Sequence, residues 1–302
     1  MKNKMAPGYS GLSDNELHQR VKKAKLHLAG CRLCPHECGI NRKRETGFCR
    51  APDQAVISSY GPHFGEEPAL VGRNGSGTIF FAYCNMRCVF CQNCELSFGG
   101  EGEVVSEAEL ADIMLILQEE YRCHNINLVT PTHFVPNILT ALALAKDKGL
   151  NLPLVYNCGG YERLETLLLL DGVVDIYMPD FKYTMPERGE QYSGIRDYPE
   201  KVKQALREMD RQVGGLQTDS EGIAWRGLII RHLIMPGGTD DTREVLKFIS
   251  EELSDDCMVN LMEQYYPAHQ AFEYRELSRK VTREEYSASL NYARKLGLKL
   301  IP

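Results

Sequence analysis

The sequence predicts an α/β protein, a partial (β/α)6 TIM-like barrel with a small N-terminal cysteine-rich extension. From Thr78 onward, six short runs rich in β-branched and aromatic residues alternate with longer segments of helical periodicity. Such alternation makes a parallel sheet with right-handed crossovers. Polar residues and glycines replace the apolar pattern at the exits of all six runs, where a parallel barrel gathers its chemistry. The length of 302 residues suits a barrel with an appended piece, and six units fit an open barrel better than a closed eight-fold one.

The elements follow in order. Residues 1–30 read as a polar lead-in and a helix, capped by Ser13 or Asp14, carrying Leu17, Val21 and Leu28 at helical spacing and ended by Gly30. The segment CRLCPHECGINRKRETGFC then runs from Cys31 to Cys49. A short strand is expected over 55–60, followed by a Gly- and Pro-rich connector over 60–77. The boundary is drawn at residue 70, with a helix and metal-binding module over 1–70 and the barrel over 71–302. Barrel strands are expected over 78–83, 126–130, 153–157, 174–179, 228–236 and 258–263. Among the intervening helices, SEAELADIMLILQEEY opens with Ser106 and Glu109 at capping-box spacing, and PNILTALALAKDKG ends at Gly149. Residues 185–225 form a partly helical insertion to which the sequence assigns no role.

Charge and hydropathy exclude some partners. The 35 Lys and Arg against 41 Asp and Glu give 35 − 41 = −6, so nothing supports a nucleic-acid reader that depends on phosphate neutralisation. The apolar run Leu167–Leu170 is stopped by Asp171, far short of the ~20 residues of a membrane span. The N-terminus has no apolar core of the kind a signal peptide needs. The chain is therefore expected in the cytoplasm, where thiols stay reduced. Seven of its eleven cysteines nevertheless fall into two tight groups.

The first group is CNMRCVFC, directly after the first barrel strand. It places Cys84, Cys88 and Cys91 where one loop can wrap a cubic 4Fe–4S cluster. Three local thiolates leave one iron without a protein ligand, and that open position can bind substrate. Zinc is the chemical rival, but structural zinc takes paired hooks and four closed ligands. Cys94 reads as a spare. The second group, Cys31, Cys34, Cys38 and Cys49, has C-x2-C-x3-C-x10-C spacing, which in a reduced compartment implies a metal rather than disulfides. A closed zinc site and an auxiliary cluster are both open readings. His36, between these ligands, is expected to face solvent. The other strand exits carry Thr130, Thr132 and His133; Asn157, Cys158, Gly159 and Gly160; Asp180 and Lys182; and Glu263 and Gln264, with Arg231 and His232 inside the fifth strand. His232 reads as a core histidine. Tyr265 and Tyr266 read equally as substrate-mouth or rim-packing residues.

On the CxxxCxxC motif, with Phe90 just before its last cysteine, the chain resembles the radical S-adenosylmethionine superfamily. The segments CRLCPHECGINRKRETGFCRA, YGPHFGEEP, CNMRCVFCQN, NLVTPTHFVP, VYNCGGYE, DIYMPDFKY and RHLIMPGG are similar to those of its pyruvate formate-lyase activating enzyme-like (PflX-type) iron–sulfur proteins. The resemblance implies a 4Fe–4S cluster on Cys84, Cys88 and Cys91 whose open iron chelates S-adenosylmethionine. It implies reductive cleavage to a 5′-deoxyadenosyl radical that abstracts hydrogen, and an electron donor such as flavodoxin or ferredoxin. It places the cofactor among Thr130, Thr132, His133, Asn157, Asp180, Lys182 and Arg231, with Arg231 pairing the cofactor carboxylate. Two departures stand out: the usual Gly-Gly-Glu is absent at 130–133, and Asn157 replaces an Asp. The functions expected are a glycyl-radical activase, radical modification of another peptide or small molecule, or, without catalysis, an iron–sulfur electron carrier.

Overall fold

The computed structural model describes residues 6–301. Residues 1–5, part of the N-terminus read as lacking a signal sequence, lie outside that span. In chain order the elements are α1 (Asp14–Leu26), β1 (Ala55–His63), α2 (Pro68–Val71), β2 (Ser76–Phe81), β3 (Glu103–Val105), α3 (Glu107–Glu119), β4 (Ile126–Val129), α4 (Val135–Asp147), β5 (Leu154–Cys158), α5 (Leu164–Leu170), β6 (Ile176–Pro179), α6 (Pro186–Ser193), α7 (Tyr198–Val213), β7 (Gln217–Thr218), β8 (Ala224–Leu233), α8 (Thr239–Glu252), β9 (Met258–Met262), α9 (Arg283–Lys295) and β10 (Lys299–Leu300).

Six strands, β2-β4-β5-β6-β8-β9, run parallel as neighbours. The sheet does not close: β10 extends it beside β9, while β1 and β3 extend the other edge antiparallel. This is the expected partial barrel, its six strands in the predicted order. Capping boxes at Ser13–Glu16 and Ser106–Glu109 start α1 and α3, each satisfying two otherwise orphaned backbone donors.

The boundaries shift for local reasons. The first barrel strand begins at Ser76, two residues before the expected start, because Gly77 permits close approach. A Cβ there would meet the Asn125 carbonyl at 2.5 Å. Helix α1 stops at Leu26, and turns carry the chain on towards Cys31. The strand at the N-terminal edge reaches His63 rather than Tyr60 by pairing with all of β2.

Val155, Ile176, Met178, Ala224 and Ile229 of the parallel strands form one buried cluster around Leu70 of the short helix α2. Fully burying a leucine contributes roughly 2 kcal/mol, which ties α2 to the sheet. The preceding Glu66 and Glu67 carry carboxylates to β8 and β9: Glu67 accepts from Asn260 at 2.9 Å, and Glu66 stands 3.8 Å from the Arg231 guanidinium. The chain ahead of α1 is tied to the barrel as well. Tyr9 is buried with its hydroxyl on the Leu152 carbonyl at 3.0 Å, and Gly8 N–H donates to Asp175 at 2.7 Å. No helix among the described residues is long and apolar enough to cross a membrane.

Candidate functional site

A cavity of about 320 Å³ opens at the C-terminal ends of the parallel strands. Every barrel strand contributes to its wall: Cys84 after β2, Thr130 after β4, Asn157 and Cys158 on β5, Asp180 and Lys182 after β6, Arg231 on β8, and Met262 and Gln264 from β9 and its exit. Polar side chains therefore meet here because the six strand exits face one space.

Two adjacent strand exits are held in the left-handed region. Tyr83 has φ 68° and Thr130 φ 57°, conformations that cost a non-glycine residue, most of all a β-branched one, on the order of 1–3 kcal/mol. Tyr83 N–H donates to Leu96 O at 2.9 Å and Thr130 N–H to Asn157 O at 2.8 Å. Those bonds hold the strained turns, which send the cysteine loop and the β4–α4 connection outward.

The loop 84–91 is anchored from several sides. Cys91 N–H donates to Cys88 O at 3.1 Å, and Val89 N–H to Tyr192 O at 2.9 Å on α6. The Cys88 sulfur lies 3.2 Å from the Ser193 hydroxyl, and the Cys91 sulfur 3.6 Å from that of Ser97. Burial raises the pKa of all three thiols, and for Cys84 the nearby Cys88 and Cys91 raise it further. The Lys182 ammonium acts in the opposite direction on each. Three thiols gathered in one loop beside a fixed cation are a donor set that fits a thiophilic cluster. Among the described residues no three Cys, His, Asp or Glu side chains converge at the spacing of a single metal ion's ligands. A cubic cluster spreads its thiolates more widely, one to each iron.

Behind the cysteines stands a charged network. Asp180 accepts from Lys182 at 2.5 Å and from Arg231 Nε at 2.9 Å, and Arg231 also donates to Asn157 Oδ1 at 2.6 Å. Burial alone would raise the Asp180 carboxyl, but Arg231 and Lys182 outweigh it and hold its pKa below the usual value. Arg231, expected to pair a cofactor carboxylate, thus lines the cavity with its guanidinium already engaged by Asp180 and Asn157.

Two expected cofactor contacts stand elsewhere. Thr132 is fully buried with its hydroxyl on Glu162 at 2.6 Å. His133 is buried against Phe134, shares a bond with Ala82 O at 2.8 Å, and has its pKa lowered to about 3 by burial. Both face the core because the chain after the left-handed Thr130 turns directly into α4. His36 also differs from expectation: it is half-buried and stacked on Phe48, ring centroids 3.8 Å apart. His232 lies in the core between Phe181 O and the Thr242 hydroxyl. Tyr265 packs inward with its hydroxyl on Leu277 O at 2.7 Å, whereas Tyr266 is exposed.

Sequence reasoning missed the contribution of residues 185–225. Ser193, Tyr192 and Tyr198 come from that insertion. Tyr198 receives Lys182 N–H at 3.0 Å and donates its hydroxyl towards the carbonyls of Gly159 and Asp180. The only signal was negative, a segment breaking the regular strand–helix rhythm.

No protein-family profile matches the chain. It is 36% identical over 298 residues to the uncharacterized protein MJ0674 of Methanocaldococcus jannaschii, covering 95% of this chain and 81% of that protein. The chain belongs to that protein's family. Similar solved folds include a domain of pyruvate-formate lyase-activating enzyme from Bacteroides vulgatus (12% identity, TM-score 0.37, 52% of this chain and 83% of that one). They also include Streptococcus suis SuiB bound to S-adenosylmethionine (12%, 0.48, 72% and 47%) and anSMEcpe with bound AdoMet (11%, 0.48, 72% and 61%). The chain therefore spans less than two thirds of SuiB and of anSMEcpe.

Proposed function

We propose that the protein is a radical S-adenosylmethionine enzyme. The observation that carries this reading is the place of the three-cysteine loop: Cys84, Cys88 and Cys91 stand in one cavity with Thr130, Asn157, Asp180, Lys182 and Arg231. Cys84, Cys88 and Cys91 would hold a 4Fe–4S cluster, which supplies one electron to cleave bound S-adenosylmethionine into methionine and a 5′-deoxyadenosyl radical.

The chain's own residues do the rest. Thr130, Asn157 and Lys182 present polar atoms to a bound cofactor, and the Asp180 carboxylate keeps Lys182 charged and fixed. The Lys182 ammonium lies near enough to favour the thiolate form of all three cysteines. Phe81, Phe90, Leu96 and Leu233 supply apolar wall, which limits solvent access to the cluster site and the reacting atoms.

Cys31, Cys34, Cys38 and Cys49 form a second metal centre in this reading, an auxiliary cluster, within the irregular segment 27–54, since β1 and α2 already belong to the barrel. A flavodoxin or ferredoxin supplies the electron. The substrate is a peptide or small molecule; glycyl-radical activation is the narrower version, and no feature of the cavity selects it. An electron carrier would not need a polar residue at every strand exit.

The test is cofactor cleavage by anaerobically reconstituted, dithionite-reduced protein. The reading predicts 5′-deoxyadenosine from the native chain and none from Cys88→Ala. Equal cleavage by both proteins would overturn it.

A further inference from the structure

Residues 27–54 contain no helix or strand, yet they pack closely and carry four cysteines. Irregular segments of that length inside a compact domain need some other source of order. Part of it is local: Cys31 N–H donates to Ile40 O, Gly39 N–H to Cys31 O and Glu37 N–H to Cys34 O. Gly47 lies directly on the Cys38 side chain, so a Cβ there would meet the sulfur at 2.8 Å. The Gly47–Cys49 end is thereby brought against the Cys31–Cys38 turn.

Residues inside this module touch residues inside the three-cysteine loop. His36, between Cys34 and Cys38, donates from Nε2 to the Asn85 carbonyl at 2.9 Å, a carbonyl being only an acceptor. Its ring stacks on Phe48, the neighbour of Cys49. The Phe48 carbonyl accepts from Arg87 at 3.0 Å, and the same guanidinium lies 4.3 Å from the centroid of the Phe48 ring. Asn85 and Arg87 belong to the Asn85-Met86-Arg87 bridge between Cys84 and Cys88. On its other side Asn85 donates from its side chain to Tyr161 O at 2.7 Å.

We infer that the two cysteine groups are coupled metal sites: a thiophilic metal on Cys31, Cys34, Cys38 and Cys49 orders His36 and Phe48, which hold the three-cysteine loop in its ligating shape. This rests on the metal reading of both groups proposed above and adds how one governs the other. The N-terminal metal is the iron of an iron–sulfur cluster, one iron to each of the four thiolates, because no three of the described side chains stand at a single ion's ligand spacing. Metal binding orders such irregular segments because the folded ligand set and the metal form together. Groups that orient a metal's ligands commonly change its affinity 10- to 100-fold.

The experiment uses the full chain, purified anaerobically and reconstituted with iron and sulfide. Native protein, Cys34→Ser, a His36→Ala and Phe48→Leu double variant, and Cys88→Ala are compared. Iron and zinc per chain are measured, together with the spectrum of the reduced cluster and its rate of loss to a chelator. Cys34→Ser is expected to lose the N-terminal iron and to release the remaining cluster on the order of tenfold faster. The double variant keeps all seven ligands and the N-terminal metal, yet is expected to show the same faster release and a changed spectrum. Native release and spectrum in the double variant would overturn the coupling, and so would an unchanged metal content in Cys34→Ser. Full iron retention by Cys88→Ala marks a different failure, that of the three-cysteine loop as a cluster site.

Discussion

The hydroxyl of Ser193 stands 3.2 Å from the Cys88 sulfur, and the Tyr183 hydroxyl stands 3.0 Å from that of Ser193. With Cys88 ligating a cluster as proposed, its thiolate can only accept, and the order becomes Tyr183 to Ser193 to Cys88. Ser193 is buried at the end of α6, so this bond is kept from water and its strength depends on the charge on sulfur.

Ser193→Ala should therefore keep the iron and lower the cluster's midpoint potential. The bond stabilises the reduced, more negative state; if it strengthens by about 1 kcal/mol on reduction, the shift is roughly 40 mV. Redox titration followed by the cluster's spectrum measures it, and Ser193→Thr should restore most of the native value.

Asp180 is the hub of the charges behind the cavity. Removing its carboxylate leaves Lys182 and Arg231 side by side with little solvent, since their side chains are 15% and 20% exposed. Asp180→Ala is expected to cost about 3 kcal/mol of folding stability, read by urea denaturation. Asp180→Asn, which keeps the shape, should cost less.

Glycine at position 160 carries a sharper constraint. Its φ is +80°, and a Cβ would meet Asp180 O at 2.3 Å and Val202 at 2.8 Å. Gly160→Ala should cost about 3 kcal/mol, from strain and overpacking together. Gly149 has φ +97° but nothing within 4 Å of its Cβ position, so Gly149→Ala should cost about 1 kcal/mol. Paired denaturation curves separate the clash from the backbone strain.

Glu162 gives the fold a pH dependence. It is buried, accepts from Thr132 at 2.6 Å and Tyr156 at 3.1 Å, and burial pushes its pKa up to about 7. A raised carboxyl favours the protonated fold, so its contribution is complete below the ordinary carboxylate pKa near ~4.5 and is lost as pH rises to about 7. Glu162→Gln copies the neutral form. It should raise stability at pH 8 by roughly 3 kcal/mol and leave stability at pH 4 nearly unchanged.

The strand order and the cysteine loop were legible in the sequence because both are local signals. Alternating runs such as 126–130 and 153–157 write a parallel sheet directly, and CNMRCVFC carries its spacing with it. That Asp180, Lys182, Asn157 and Arg231 share one cavity could be expected because a barrel sends its strand ends to one face. Thr132 and His133 were misplaced because left-handed Thr130 turns the chain inward, and nothing in Val-Thr-Pro-Thr-His announces that conformation. Ser193 could not be read at all. Its contact with Cys88 spans 105 residues and depends on how α6 folds back over the loop. His36 was read as solvent-facing from its place between ligands, whereas Phe48 and Asn85 supply a stack and an acceptor from elsewhere in the chain.

The central claim is that Cys84, Cys88 and Cys91 hold a cluster with one iron open to S-adenosylmethionine. The most direct measurement is electron paramagnetic resonance of the reduced, reconstituted Cys34→Ser protein, with and without S-adenosylmethionine, beside its iron count. The account predicts about four irons per chain and a cluster signal that shifts when the cofactor is added. A signal indifferent to S-adenosylmethionine, or a protein with no iron at these three cysteines, would contradict it.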